Sequence, residues 1–534
     1  MKVTPSINTV ITFFPLLSTL ILHTLAAHAP ARRQHRNVVK EYQRAVASSA
    51  KLASAASSLN ISTATAEGVS DTKVITGSIN TTATASSTSF TAPSTLVSTT
   101  TSISSAITTA PTSSANPTAT YTPDESLQFA YPQRNFKINS RSYKSLTKAL
   151  PKILKNANSI SIHSWELGCF TETLLEVYNP SLTPFEWENQ LCASSKSDDI
   201  PWNVIKIAKN SLVAYNWTGS PSDLGSCDGE LKDYLDNSTS PVKHIPKALI
   251  NGDGALGDPV SLVPAIWVLA QFAKNRLVNL GSGMKEGEDY SWAVGNQLDY
   301  LFSGPTQSNI ISQREDSWEL WADMMYMIPP SLTYMGLSLS NEEYLHKGLE
   351  QWDLESKTLL NSTVNIYNHV TGWDMRLWAT GNGWAVYGAI RNLYAAKAMN
   401  YRAAVVTQAE DTLTEVFTGL FNELDDQNLL PNYMKQDNAT LAVGDTAGTA
   451  LTVAAYYRFI KLCPAKANPN LTKLAEKAFD AVVDKIDKDG WVTHAVDPMG
   501  TYGWVVYPDD LTIHSPEAQA FAAKMWKART EAGI

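Results

Sequence analysis

The sequence predicts an all-α fold, an (α/α)6 toroid of six helical hairpins, preceded by a signal peptide and a disordered Ser/Thr-rich segment. Three observations carry that expectation. Helix-period apolar patterns follow one another from about residue 123 to the end, strand patterns are few and short, and the count of units is right. Roughly 410 residues in helix-plus-loop units of ~30–35 residues make about twelve helices, the number that closes six hairpins into a ring.

The chain has 534 residues, 44% of them hydrophobic and 17% charged, enough to bury a large core. A net charge of −9 argues against nucleic acid and against an anionic membrane surface as partners. The 15 Trp and 21 Tyr favour a carbohydrate ligand, because aromatic faces stack on the C–H faces of sugar rings.

At the N-terminus Lys2 precedes a mostly apolar run, Val10 to Leu25, with small residues Ala26, Ala27 and Ala29 after it. The run falls short of the ~20 apolar residues of a spanning helix, so residues 1–29 read as a signal peptide. From about Ala45 to Thr122, within a segment taken as 30–122, the chain is dominated by Ser, Thr and Ala with Pro93, Pro111 and Pro117. Such a composition cannot bury enough apolar area to offset its ordering entropy, and reads as a disordered, O-glycosylated stalk. Sequons at Asn60, Asn80, Asn216, Asn237, Asn361, Asn438 and Asn470 fit a secretory route. The expected protein is secreted, with no membrane partner after signal removal and a stalk suited to cell-wall association. Cys169, Cys192, Cys227 and Cys463 lack zinc-site spacing and suggest disulfides, with Cys192–Cys227 the local pairing.

Within the folded domain, 123–534, helices are expected at Ser261 to Asn275, Asp316 to Ile328, Asn341 to Leu360, Trp384 to Met399, Ala403 to Leu420, Thr446 to Leu462, Leu471 to Ile486 and Ser515 to Thr530. Ser515-Pro516-Glu517 is a good helix start: an N-cap, Pro in the first turn, then an acid at the positive end. Ser145 to Ala157 is a further candidate that Pro151 should kink or divide. Strand patterns appear at Trp491 to Val496 and Trp504 to Tyr507.

The chemistry concentrates in three places. The Gly-rich loop Asn251 to Pro259 carries Asp258 near a helix start, where a carboxylate is either a cap or a functional acid. Asp323 lies among Trp318, Trp321, Met324, Met325 and Tyr326, where desolvation would raise its pKa and make it a general acid; the plainer reading is a solvated helix face. The stretch Tyr367 to Tyr387 holds His369, Trp373, Arg376, Trp378 and Trp384, with Gly381-Asn382-Gly383 expected to break any regular element before Trp384. It is either a core-capping loop or the floor of a sugar pocket.

These residues carry a resemblance. Trp378-Ala379-Thr380-Gly381-Asn382-Gly383-Trp384 resembles the Trp-Ala-Arg-Gly-Asn-Gly-Trp signature of glycoside hydrolase family 105 and the related family 88. Tyr367-Asn368-His369 with Gly372-Trp373-Asp374, Trp321 to Pro330, Asp445 to Ala450 and Ser515 to Gln519 resemble the family's other runs, in order from about Gly257 onward. The resemblance implies an (α/α)6 toroid and hydration of a terminal 4,5-unsaturated uronic acid on lyase-generated oligosaccharides, with no metal or organic cofactor. Asp323 would be the acid/base and Asp258 the second acid. His369, Trp378 and Trp384, with Trp321 and Trp373, would be sugar-contacting. The family's signature Arg is Thr380 here. A guanidinium suits a carboxylate bidentately, so Arg376, four residues earlier, is the candidate substitute.

Two alternatives stand beside this reading. An endo-mannanase on the same fold would use an adjacent Asp pair, for which Asp198-Asp199, Asp425-Asp426 and Asp509-Asp510 are available. A non-catalytic wall lectin would keep the aromatic pocket alone.

Overall fold

The computed structural model describes residues 121–131, 138, 140–188, 200–217, 245–274, 290–499 and 505–534. The expected signal peptide, almost all of the stalk, and both Cys192 and Cys227 lie outside them. Twelve helices of ten or more residues are present among the described residues. They are α1 (Arg141–Ile160), α2 (Ser164–Tyr178), α3 (Trp202–Ser211), α4 (Val263–Lys274), α5 (Tyr290–Phe302) and α6 (Met324–Leu339). The second half holds α7 (Glu342–Leu359), α8 (Ala379–Ala398), α9 (Ala403–Phe421), α10 (Thr446–Leu462), α11 (Pro469–Asp484) and α12 (Pro516–Ala532).

The even-numbered helices form a closed inner ring. Each of α2, α4, α6, α8, α10 and α12 packs on the next, and α12 returns to α2. Odd-numbered helices form the outer layer, α1 against α12 and α11, α7 against α6 and α8. Sequence pattern explains the sorting. An outer helix such as α11 buries one stripe, Leu471, Ala475, Ala478, Phe479, Val482 and Val483, whereas α8 is buried from Ala379 to Ala396 without a break. The all-α toroid is therefore the fold of this domain.

Several local expectations change. Pro151 sits inside an unbroken α1. The face of α1 is fixed to α12 by the stacked Tyr143 and Trp526 rings, a Tyr143–Thr530 hydroxyl pair at 2.7 Å, and Trp526 Nε1 donating to Thr147 Oγ1. Helix α6 starts at Met324, not Asp316. The backbone before it is spent on a neighbouring loop, with Ala322 N donating to His369 O and Thr371 N to Leu320 O. Gly381-Asn382-Gly383 does not break structure but lies in the first turns of α8. The glycines of this region serve close packing: a Cβ on Gly388 would meet Met325 O at 2.0 Å, and one on Gly448 would meet Ala379 C at 2.5 Å. Asn382 is used as a side-chain clip, bonding both the N–H and the C=O of Tyr367.

Neither expected strand, Trp491 to Val496 or Trp504 to Tyr507, forms among the described residues, which leave out Trp504; an isolated bridge joins Ile486 to Val492. The described residues hold four short antiparallel ladders instead: Thr306–Gln307 with Ile310–Ile311, Leu360–Asn361 with Ile366–Tyr367, Leu377–Trp378 with Tyr433–Met434, and Leu430–Pro431 with Gly444–Asp445. Cys169 and Cys463 are buried free thiols rather than disulfide partners.

The ring interior is ionic. Glu172 and Glu176 of α2 meet Tyr326 of α6, Tyr387 and Arg391 of α8, Arg458 of α10 and Lys524 of α12. Lys524 Nζ lies 2.5 Å from Glu176 Oε1 and Arg458 Nη2 3.1 Å from Oε2. Burial opposes the Glu176 charge, but Lys524 and Arg458 outweigh it and hold the carboxyl below its usual range.

Candidate active site

Inner-helix N-termini gather at one face of the ring and are stitched to each other there. Thr380 Oγ1, at the start of α8, donates to Asp445 Oδ2 at the start of α10 (2.7 Å). Asp445 is itself the N-cap of α10, accepting from Ala447 N and Gly448 N, and it also accepts from Val496 N. Trp165 Nε1, at the start of α2, donates to Glu517 Oε1 at the start of α12 (2.9 Å). Burial and then the charge of Glu166 push Glu517 up to about 8.

Asp323 stands immediately before α6, in helical backbone geometry and with no capping bond. Its side chain is 15% exposed, and Oδ2 has no hydrogen-bond partner among the described residues. Burial raises its pKa; a positive charge on His369 would act against that. Asp258 lies in a single helical turn, Gly257–Val260, ahead of α4, and accepts from Gln313 Nε2 at 2.9 Å. Burial pushes it up to about 6; the Gln313 bond works against that, and the charge of Asp323 adds to it. The two acids named from sequence are thus within electrostatic reach of one another.

His369 is fully buried, with Nε2 3.7 Å from Asp323 Oδ2 and Nδ1 2.9 Å from Asp374 Oδ2. Asp374 in turn accepts Arg376 Nε at 2.6 Å and Nη2 at 2.9 Å, and the Tyr433 hydroxyl at 3.1 Å. Burial opposes the Asp374 charge, yet the bonds from His369 and Arg376 hold its carboxyl well below the usual range. Bridges from Val370 to Trp321 and to Asp374 fold this loop over the approach to α6.

Aromatic rings surround His369. Trp378 tilts against it at 4.5 Å, Trp321 meets it edge-on at 5.8 Å, and Trp373 at 6.3 Å. Trp321 and Trp373 also meet each other at 5.5 Å, and Glu319 Oε2 accepts both indole N–H groups, at 2.8 and 3.4 Å. Trp373 is 45% exposed and Trp321 half-buried, which leaves a walled aromatic surface beside Asp323. Trp378 is buried, with Nε1 on Asn432 Oδ1.

Two expectations are corrected here. Trp384 is not at the sugar surface: it is 2% exposed and packed between Tyr326 (4.4 Å) and Phe521 (4.6 Å), behind the site. Arg376 is directed at Asp374 and lies 3.9 Å from the Tyr433 ring centre, so its bidentate face serves the protein rather than a ligand carboxylate. Thr380, where the signature has Arg, is fully buried on Asp445.

The Asp pairs of the alternative reading are turn formers where described: Asp425 caps Gln427 N and Leu429 N, and Asp510 caps Thr512 N. Asp198-Asp199 lies outside the described residues. Sequence reasoning passed over Gln313, Glu319 and Tyr433, which carry no local signature, and took Asp374 only as part of a resembling run. Among the described residues no group of three or more His, Cys, Asp or Glu is arranged to hold a metal ion.

The family model described as Glycosyl Hydrolase Family 88 matches residues 283–515. That span holds Asp323, His369, Asp374, Arg376 and the aromatic surface; Asp258 precedes it. No curated protein matches the chain. Solved structures that resemble it include a family 105 glycoside hydrolase of C. acetobutylicum, 13% identical over 73% of this chain and 100% of that one, TM-score 0.49. An unsaturated glucuronyl hydrolase of a Bacillus species is 10% identical, over 72% and 96%, TM-score 0.45. An inactive variant of an alpha-1,6-mannanase of a Salegentibacter species is 9% identical, over 73% and 99%, TM-score 0.43. At such scores these likenesses have no bearing on the reaction. What the chain shares with a family is the span 283–515, a little under half of its length, which is similar to Glycosyl Hydrolase Family 88.

Proposed function

We propose that the protein is a secreted hydrolase that removes a terminal 4,5-unsaturated uronic acid from lyase-generated oligosaccharides by hydrating the double bond. One observation carries the reading: a desolvated carboxyl, Asp323, with an uncommitted oxygen beside an aromatic surface. Burial favours the protonated form of a carboxyl so placed, the form that can deliver a proton. Its proton goes to C4 of the vinyl ether, and the positive charge that develops at C5 is shared with the ring oxygen. Water adds at C5 and returns a proton to the Asp323 carboxylate. The hemiketal so formed opens, and the glycosidic bond is lost with the ring. Asp258, restrained by Gln313, is the second carboxylate, suited to orient the water. The test is loss of the unsaturated ring's absorbance during incubation with lyase-digested pectin or glucuronan. Decay that Asp323→Asn abolishes supports the reading, and no decay on any unsaturated oligomer sinks it.

A second reading draws on the committed state of Thr380 and Arg376: a hydrolase of a neutral glycan that uses Asp258 and Asp323 as its acid pair. Release of sugar from mannan in the absence of ring decay would favour it. Export rests on residues 1–29 and the Ser/Thr-rich segment; protein kept inside the producing cell, with Met1 retained, would refute it.

A further inference from the structure

Arg376, Asp374 and His369 form a line of hydrogen bonds, and the far ring nitrogen, His369 Nε2, faces Asp323 Oδ2 at 3.7 Å, beyond hydrogen-bonding distance. Because Asp374 stays ionised, it can only accept, so the His369 Nδ1 that meets it at 2.9 Å must carry the proton. In the neutral ring that leaves a lone pair on Nε2, the atom 3.7 Å from Asp323 Oδ2. A lone pair there favours a protonated Asp323, whereas an N–H would favour its carboxylate.

We propose that Asp374 and Arg376 are positioning residues that fix the tautomer and plane of His369, and through it keep Asp323 in its proton-donating form. This rests on Asp323 being the acid of the proposed function. Arg376 and the Tyr433 hydroxyl hold Asp374 from two sides, so the carboxylate cannot turn away from the ring. Asp258 faces Asp323 from the turn before α4, with Arg314 and His163 acting on Asp258 from beyond it. Asp374 meets His369 directly, with Arg376 and the Tyr433 hydroxyl on Asp374 behind it, and Glu319 holds the indoles that flank the ring.

Asp374→Asn tests this directly. The Asn carbonyl oxygen would turn to Arg376 and its amide would donate to His369 Nδ1, moving the ring proton to Nε2. Nitrogen-15 NMR of the histidines in the full-length protein, with His369 assigned by its loss in His369→Gln, should show the Nδ1–H tautomer in the wild type and the Nε2–H tautomer in Asp374→Asn. The basic limb of the kcat profile should then move down by about one pH unit, a roughly tenfold loss on the alkaline side. Arg376→Ala should shift the same limb by less, and Arg376→Lys should restore most of it; this pair carries the test if Asp374→Asn does not fold. An Nε2–H tautomer in the wild type, or a flipped tautomer with an unmoved limb, overturns the proposal. The tautomer is read without substrate, so failure to turn over unsaturated uronides would refute the proposed function and leave this reading to stand or fall separately.

Discussion

Two buried carboxylates of the inner ring, Glu176 on α2 and Asp323 before α6, show how one fold makes an acid structural or reactive. Glu176 sits in the ring interior against Lys524, Arg458 and the Tyr387 hydroxyl, and its negative charge is matched from three neighbouring helices. Among the described residues Asp323 has only His369 within 4 Å as a basic partner, at 3.7 Å, and one of its oxygens has no hydrogen bond there. Burial acts on both in the same direction. Partners hold Glu176 low, while Asp323 is raised. Burial gives an acid a strained charge; the neighbours decide whether that strain is relieved or kept.

The comparison breaks most visibly if the roles exchange. Asp323→Asn removes the proton donor and should cost about 10²–10⁴-fold in kcat with little change in melting temperature, read by ring-absorbance decay and calorimetry. Glu176→Gln should do the reverse. It takes the carboxylate partner from buried Lys524 and leaves Arg458 with Glu531 alone, and should cost about 3–5 kcal/mol of stability, read by urea unfolding. A Glu176→Gln protein of unchanged stability would mean that the interior network is not the structural element described.

Much of this contrast was legible in the sequence, and the part that was not has a physical cause. Asp323 was visible because it interrupts a run of Trp and Met. Helix α2 was missed because Glu166, Thr171, Glu172, Thr173 and Glu176 disrupt any apolar period, although all five are buried. Periodicity detects faces that avoid water, and a helix that buries charge against charge has no such face. Trp384 was misplaced for a related reason. It adjoins the signature in sequence, but α8 already runs through Gly381 and Gly383, and helical rotation turns the indole toward Phe521. Asp374 becomes informative only when folding brings Arg376 and Tyr433 around it.

Glu355 on α7 sharpens the comparison, because it separates a raised pKa from a functional one. It is fully buried, neither carboxylate oxygen has a partner among the described residues, and burial alone lifts its pKa well above the usual value. Unlike Asp323 it has no access to solvent. The sign follows from linkage: a folded-state pKa above the unfolded one gives stability that is complete at acid pH and is lost as pH rises. Glu355→Gln should therefore be close to neutral at pH 4 and more stable than the wild type by about 1–3 kcal/mol at pH 7, with activity intact. A loss of turnover in this variant would remove access as the criterion that distinguishes the two acids.

The smallest effect is expected at Glu319, which holds two indoles rather than a proton. One of its oxygens accepts from both Trp321 and Trp373, and ordering that half-exposed pair before a sugar arrives lowers the entropy lost on binding. Glu319→Gln keeps the shape but offers a neutral acceptor to the N–H groups, so the indoles should loosen by about 1 kcal/mol. That corresponds to a roughly fivefold rise in KM, with kcat nearly unchanged because Asp323 and its histidine are untouched. A fall in kcat equal to the loss in kcat/KM would instead make Glu319 part of the proton-delivering side, and the division between surface and acid would have to be redrawn around the Trp321 edge that touches His369.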